Sequence, residues 1–284
     1  MNASTAKIIQ IAATIITVLA LLFIVVLVVS RSNLFDRGFF GLSLGGEGGA
    51  FETSGSYEVT EAIQNVSVEW ISGHVSILLD DGDTIRFEEA ANRAIEEQDA
   101  LFYETNGNTL CIKYTRPGFS LFNWNRPSKT LTVYWPRQAL AALSDVRIET
   151  VSAPIEIPEF AVQNTVRLET VSGRVDAGSL SAADILLESV SGSISLSDGA
   201  ADRIQADAVS GEIDLTSAEA RYIQAESVSG QVRIWLDGID AFALDFDSVS
   251  GRQQVGEGLV QRSDADLRIA VDTVSGSLQI EKAR

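Results

Sequence analysis

The chain has 284 residues, of which 45% are hydrophobic, so it can bury a sizeable core and wholesale disorder is excluded. Its 39 acidic against 21 basic side chains give a formal charge of −18, a field that repels nucleic acid and anionic lipid. Cys111 and His74 are the one cysteine and the one histidine, which removes any intrachain disulfide, thiolate metal site or multi-histidine zinc site.

Residues 1–7 form a short N-terminal tail. From Ile8 to Val29 the chain carries no charge. As a helix these residues rise roughly 33 Å, enough to cross a hydrocarbon core of about 30 Å. A cleaved signal peptide normally has a shorter apolar run and an Ala-x-Ala-like site. Here Val28 and Ser30 fill such a site only loosely, so residues 8–30 are predicted as an uncleaved signal-anchor, a transmembrane helix with the lipid bilayer as its partner. Lys7 precedes the span while Arg31 and Arg37, offset by Asp36, follow it. That near-tie leaves sidedness open by charge alone. Residues 31–58 are Gly-rich, centred on Gly45-Gly46-Glu47-Gly48-Gly49, and read as a flexible juxtamembrane tether.

Residues 59–284 are organised by an internal repeat. Val-Ser-Gly recurs around Ser172-Gly173, Ser191-Gly192, Ser210-Gly211, Ser229-Gly230, Ser250-Gly251 and Ser275-Gly276, preceded by the variant Val151-Ser152-Ala153. From Ser152 the serine-to-serine steps are 20, 19, 19, 19, 21 and 25 residues. Mostly apolar residues lie six and four positions before each serine, and three and five after it, as in Val166, Leu168, Val175 and Ala177. Alternation on both sides of a Ser-Gly means strand, turn, strand. The same template fits upstream around Ser72-Gly73, with Val66, Val68, Val75 and Ile77.

Two strands in about 19 residues is the size of one coil of a β-solenoid, which must stack on neighbours to bury its apolar face. The predicted fold is therefore all-β, a solenoid of 19–20-residue strand-turn-strand coils behind one transmembrane helix. An antiparallel meander of hairpins is the rival. The turn glycines are expected to supply positive φ, and the serine hydroxyls to hold the corners.

Between Leu79 and Ser144 the repeat lapses. Asp80-Asp81-Gly82-Asp83 reads as a turn before a strand near Thr84–Phe87. Glu88–Asp99 reads as a short surface helix or loop, and Asn106-Gly107 marks a hairpin between Leu101–Glu104 and Thr109–Tyr114. Leu131–Trp135 is a further strand, stopped by Pro136.

Val66-Ser67-Val68-Glu69-Trp70-Ile71-Ser72-Gly73-His74-Val75-Ser76-Ile77, the strand Thr132-Val133-Tyr134-Trp135-Pro136 and the Val-Ser-Gly ladder together resemble the bacterial putative-adhesin, β-strand-repeat domain of unknown function. The likeness covers roughly residues 60–283. It implies an N-terminal anchor, repeats on the extracytoplasmic side of the cell membrane, and for some members a link to envelope-stress responses. It brings no catalytic residues.

The residues themselves give little chemistry. His74 occupies a position filled elsewhere by Arg174, Ser193, Glu212 and Gln231, the mark of an exposed, unconstrained site. Cys111 lies in a strand pattern, and Asp80, Asp81 and Asp83 read as an acidic turn before they read as a catalytic carboxylate pair. One feature stands out: three residues before every motif serine is an acid, namely Glu69, Glu149, Glu169, Glu188, Asp207, Glu226, Asp247 and Asp272. In a solenoid the last seven would form a ladder of carboxylates, offset by arginines such as Arg147 and Arg167, by raised pKa values, by turn amides or by a bound cation such as Ca²⁺. The expected function is a non-catalytic, membrane-anchored surface module that binds an unknown protein or envelope glycan or serves structural display. A polysaccharide-processing β-helical enzyme and a cation-binding sensor acting through the acidic ladder are the alternatives.

Overall fold

A computed structural model describes residues 55–95, 99–116 and 127–283. The predicted span at 8–30 and nearly all of the tether lie outside the described residues. Within them, no helix is long and apolar enough to cross a membrane.

The described chain is all-β. It enters through β1 (Ser56–Val59) and builds a two-strand layer from β2 (Asn65–Trp70) and β3 (Gly73–Asp80). Then follow β4 (Ile85–Ala91), the hairpin β5 (Phe102–Asn106) and β6 (Thr109–Lys113), and β7 (Lys129–Pro136). After a 3₁₀ turn at Arg137–Ala142 come β8 (Asp145–Thr150), β9 (Ile155–Ala161) and β10 (Thr165–Thr170). Three 15-residue strands follow, β11 (Val175–Ser189), β12 (Ile194–Ala208) and β13 (Ile213–Ser227). Each runs from the second arm of one layer into the first arm of the next. The chain ends with β14 (Val232–Leu236), β15 (Ala241–Ser248), β16 (Gln253–Val255), β17 (Val260–Gln261), β18 (Leu267–Thr273) and β19 (Leu278–Lys282).

Successive layers pair parallel and in register: Val166 lies against Ile185, Ile185 against Ile204, and Ile204 against Ile223. A meander would pair antiparallel, so the repeat forms a solenoid-like stack with layers about 4.8 Å apart. Period-two alternation turns Val166, Leu168, Val175 and Ala177, with their equivalents above and below, into a core between the two arms. Those four are 0% exposed. Outside the repeat, Asn106-Gly107 makes the expected antiparallel hairpin, with φ of 61° at Gly107. The segment read as a helix or loop differs: Glu88–Ala91 belongs to β4, because Phe87 and Glu89 point inward and pairing with β7 outweighs local propensity. The fold also begins before residue 59, since β1 pairs with β4 and buries Tyr57.

Layer order departs from chain order at both ends. The β6/β7 layer lies outside the β2/β3 layer, which is held between it and β8/β9. At the other end β18/β19 inserts between β13/β14 and β15/β16. The first and last repeats are therefore paired on both sides, which opposes the fraying usual at chain ends. The entry end is closed by β1, β4 and β5, where Tyr57, Phe87 and Tyr103 rings pack at centroid distances of 4.9–5.3 Å.

The turn glycines are required for a reason other than positive φ. Among the motif glycines it is Gly73 that has φ of 108°, whereas Gly173, Gly192, Gly211, Gly230, Gly251 and Gly276 are not in the left-handed region. Their constraint is close approach: a Cβ on Gly211 would sit 2.1 Å from the Gly192 carbonyl oxygen of the layer below. The serine role also differs. The Ser172 N–H and hydroxyl both donate to the Val151 carbonyl, at 2.9 and 3.2 Å, so the motif serine ties layers together. The corner itself is held by a buried hydroxyl two residues earlier, with Gly173 N–H donating to Thr170 Oγ1 at 2.9 Å and Gly192 N–H to Ser189 Oγ at 2.8 Å. That row of Thr150, Thr170, Ser189, Ser227, Ser248 and Thr273 was legible as a repeated small hydroxyl, but the adjacent Val-Ser-Gly drew the reading away from it.

Candidate functional site

The acids that precede the motifs stand in one continuous row on the outer face of the first arms. Register pairs Glu69 with Glu149, Glu149 with Glu169, Glu169 with Glu188, Glu188 with Asp207, and Asp207 with Glu226. Beyond Glu226 the order is Asp272 and then Asp247, because the last repeat inserts inside the stack. Glu69 belongs to the row as an eighth member, and Lys113 of β6 terminates it.

The two halves of the row are neutralised differently. In the half near the chain entry, Lys113 Nζ lies 3.1 Å from Glu69 Oε1. Arg147 pairs with Glu149 and reaches Glu169 Oε1 at 3.6 Å; Arg167 pairs with Glu169 and reaches Glu188 Oε1 at 2.7 Å. Each arginine thus ties an acid of its own layer to the acid of the next. Further along, the position two residues before the acid is a glutamine, and Gln205 Nε2 donates to Asp207 Oδ2 at 2.7 Å while Gln224 Nε2 donates to Glu226 Oε1 at 2.8 Å. At Asp272 and Asp247 that position holds Ala270 and Asp245, which neutralise nothing.

The largest upward shifts in proton affinity fall in the half beyond Glu188. Burial pushes Asp207 up to about 7, helped by Glu226 and Glu188 and opposed by the Gln205 hydrogen bond and Arg203. Asp207 Oδ1 is buried with no hydrogen-bond partner. Burial, then Glu226, Asp247 and Asp245, push Asp272 up to about 6. Burial also raises Glu149, against the pull of Arg147. The sign of the stability effect is fixed by these directions. Both folded-state values exceed the roughly 3.9 of an unfolded aspartate, so the folded form holds extra protons in between. Their contribution is complete below about pH 4 and is lost as pH rises through about 6 for Asp272 and about 7 for Asp207. The domain is expected to gain about 3 kcal/mol between pH 8 and pH 5, with the half-exposed Asp272 discounted for screening, read as a rising urea midpoint, and Asp207→Asn should flatten that rise. A midpoint that falls over this interval would contradict the assignment.

The row is linear rather than convergent. Among the described residues no group of three or more His, Cys, Asp or Glu side chains is arranged to hold a metal ion. From Glu149 to Glu226 the acids turn to arginines and glutamines along the row. The other candidates are dispersed. His74 Nε2 lies 3.1 Å from Glu156 Oε2 on the open surface. Asp80 accepts from the Asp81 N–H, Asp81 lies 3.5 Å from Arg137, and Asp83 accepts from Gln138 at 2.8 Å, an acidic turn knitted to the 3₁₀ segment. Cys111 is buried in β6, with its thiol pushed up to about 11 by burial, which leaves it unreactive.

Sequence reasoning missed one buried polar centre. Lys129, at the start of β7, is fully buried and its Nζ lies 2.6 Å from Glu89 Oε1, itself fully buried. The same ammonium donates to the Asp99 carbonyl at 2.7 Å and to the Tyr114 carbonyl, with the Tyr114 and Trp70 ring centroids at 3.9 and 5.1 Å. Glu89 also accepts from the Leu101 N–H at 3.1 Å. Every donor of Lys129 is used, so this centre acts as a clamp on the chain excursions around the entry-end layers.

A stack of in-register two-strand layers, tied to one another by the motif serines and carrying repeated rows on its outer faces, defines a β-strand-repeat module. The chain belongs to the Toastrack DUF4097 family, whose model matches residues 63–283. Its fold is similar to a putative adhesin from Bacteroides fragilis, at 15% identity and a TM-score of 0.50, covering 83% of this chain and 98% of that one. A putative adhesin from Parabacteroides merdae is 12% identical with a TM-score of 0.44, covering 82% and 97%. A putative lipid binding protein from Parabacteroides distasonis is 17% identical with a TM-score of 0.40, covering 82% and 97%. No curated protein matches the chain.

Proposed function

We propose that the protein is a single-pass, membrane-anchored module that displays its β stack on the extracytoplasmic side of the cell envelope and acts there by binding, without catalysis. The observation that carries this reading is the polarity of the stack. The chain enters at the end closed by β1, β4 and β5. The opposite end, built from β15 and β16, lies eight layer steps beyond the β6/β7 layer, roughly 38 Å, and among the described residues the outer side of β15 is unpaired along most of its length. The uncharged run from Ile8 to Val29, joined by the Gly-rich tether, supplies the anchor on the entry side. Repeat stacks commonly present extended surfaces to partners, and a fold shared with a Bacteroides fragilis protein described as a putative adhesin agrees with a binding role.

The anchor is tested by intact-mass measurement and N-terminal sequencing of the protein from alkali-washed membranes. The expected result is a membrane-retained chain that still contains residues 8–30. A mature chain beginning near Arg31, released by the alkali wash, would contradict it.

A further inference from the structure

Each inner layer of the stack is covered by a next layer, whose serine closes the turn. The Ile71 carbonyl accepts the N–H and hydroxyl of Ser152 at 2.8 and 3.0 Å, and the Val228 carbonyl accepts those of Ser275 at 3.0 and 3.2 Å. The Val274 carbonyl accepts those of Ser250 at 3.1 and 3.4 Å. In the outermost layer the equivalent acceptor is Val249, and among the described residues no serine reaches it. Val249 is 46% exposed. On its outer side β15 pairs with β17 at Ala241 and Phe242 and with nothing described beyond them. Leu244 and Phe246 occupy the columns of Ile269 and Val271 one layer in. Those inner residues are 1% exposed, whereas Leu244 and Phe246 remain half-buried. Alternating with them on the outer face stand the exposed Asp245 and Asp247.

We infer that the edge Ala243–Ser248, with the Val249 carbonyl, is a docking site for an extended strand of another polypeptide, one that alternates apolar residues with lysine or arginine. The inference rests on the binding role proposed above and names the site. An added strand would satisfy the outward backbone groups and cover Leu244 and Phe246, the recognition mode in which a peptide extends a sheet edge. Lysine or arginine opposite Asp245 and Asp247 complements an edge where the acidic row ends on Asp247 with a second acid, Asp245, beside it. A second copy of the chain is the poorer occupant. Antiparallel self-pairing of 243–248 in even registers sets acid against acid, as Asp245 against Asp247, and in odd registers sets acid against Leu244 or Phe246.

The test uses the full chain in detergent micelles and a fluorescent peptide, Ile-Lys-Val-Lys-Thr-Val-Ser-Gly, with the same peptide carrying Glu for both Lys as control. Saturable anisotropy binding is expected, about tenfold tighter for the Lys peptide than for the Glu peptide. Hydrogen exchange should slow at Leu244–Ser248 only when the Lys peptide is present. The double variant Asp245→Lys/Asp247→Lys should reverse the preference while leaving the urea midpoint within the range of surface substitutions. Equal binding of both peptides, or none at millimolar concentration, would overturn the inference. So would protection of the edge in peptide-free protein, which would assign it to a second copy if the protein is dimeric and to another part of the same chain if it is monomeric. None of these outcomes bears on membrane retention, so failure here is distinguishable from failure of the proposed function.

Discussion

Replacing Lys129 by methionine is expected to lower the unfolding free energy of the domain by about 3–5 kcal/mol. The substitution leaves the fully buried Glu89 carboxylate with the Leu101 N–H but without its cation, and strips the Asp99 and Tyr114 carbonyls of a donor. An uncompensated buried charge is far more costly than an absent ion pair. The double variant Lys129→Met/Glu89→Leu should therefore recover part of the loss. Urea denaturation followed by tryptophan fluorescence reads both, with Trp70 5.1 Å from the ammonium as a local reporter. A single variant as stable as the parent, or a double variant less stable than the single one, would show that the clamp does not hold the entry-end layers.

Gly211→Ala is expected to be nearly as damaging as Gly211→Val, each costing about 3 kcal/mol or more. If the glycine served a left-handed turn, alanine would cost about 1 kcal/mol and valine considerably more. The structure places the obstacle at the first side-chain atom: a Cβ would lie 2.1 Å from the Gly192 carbonyl oxygen, which is backbone and cannot swing aside. Relief requires the layers to part, which breaks the in-register pairing of β12 with β13. Measured urea midpoints decide between the two accounts, and an alanine variant close to wild type would rule out the close-approach explanation.

The stack was legible in the sequence because each layer repeats one small pattern. The columns through Val166, Leu168, Val175 and Ala177 must alternate inward in every copy, so periodicity and spacing reveal them. The acidic row was legible for the same reason, down to Glu69 in a copy separated from the rest by more than 70 residues. The layer order was not, since register between copies says nothing about which copy lies next to which. The steps of 21 and 25 residues at the C-terminal repeats were the available signal: the extra chain is what carries β15/β16 outward and returns β18/β19 beneath it. The Lys129–Glu89 centre was illegible because its members come from β4, β7 and connecting segments without any repeat. The glycine role was misassigned for a related reason, in that positive φ is a local property while a carbonyl arriving from the layer below is a property of the stack.

Display of an anchored stack outside the cytoplasm is tested by labelling one introduced cysteine in intact cells. Glu257→Cys lies on an exposed loop beyond β16, and a Cys111→Ser background removes the buried native thiol. A membrane-impermeant maleimide is expected to label this cysteine in intact cells as fully as after permeabilisation. Labelling that appears only after permeabilisation would place the stack on the cytoplasmic side and contradict it.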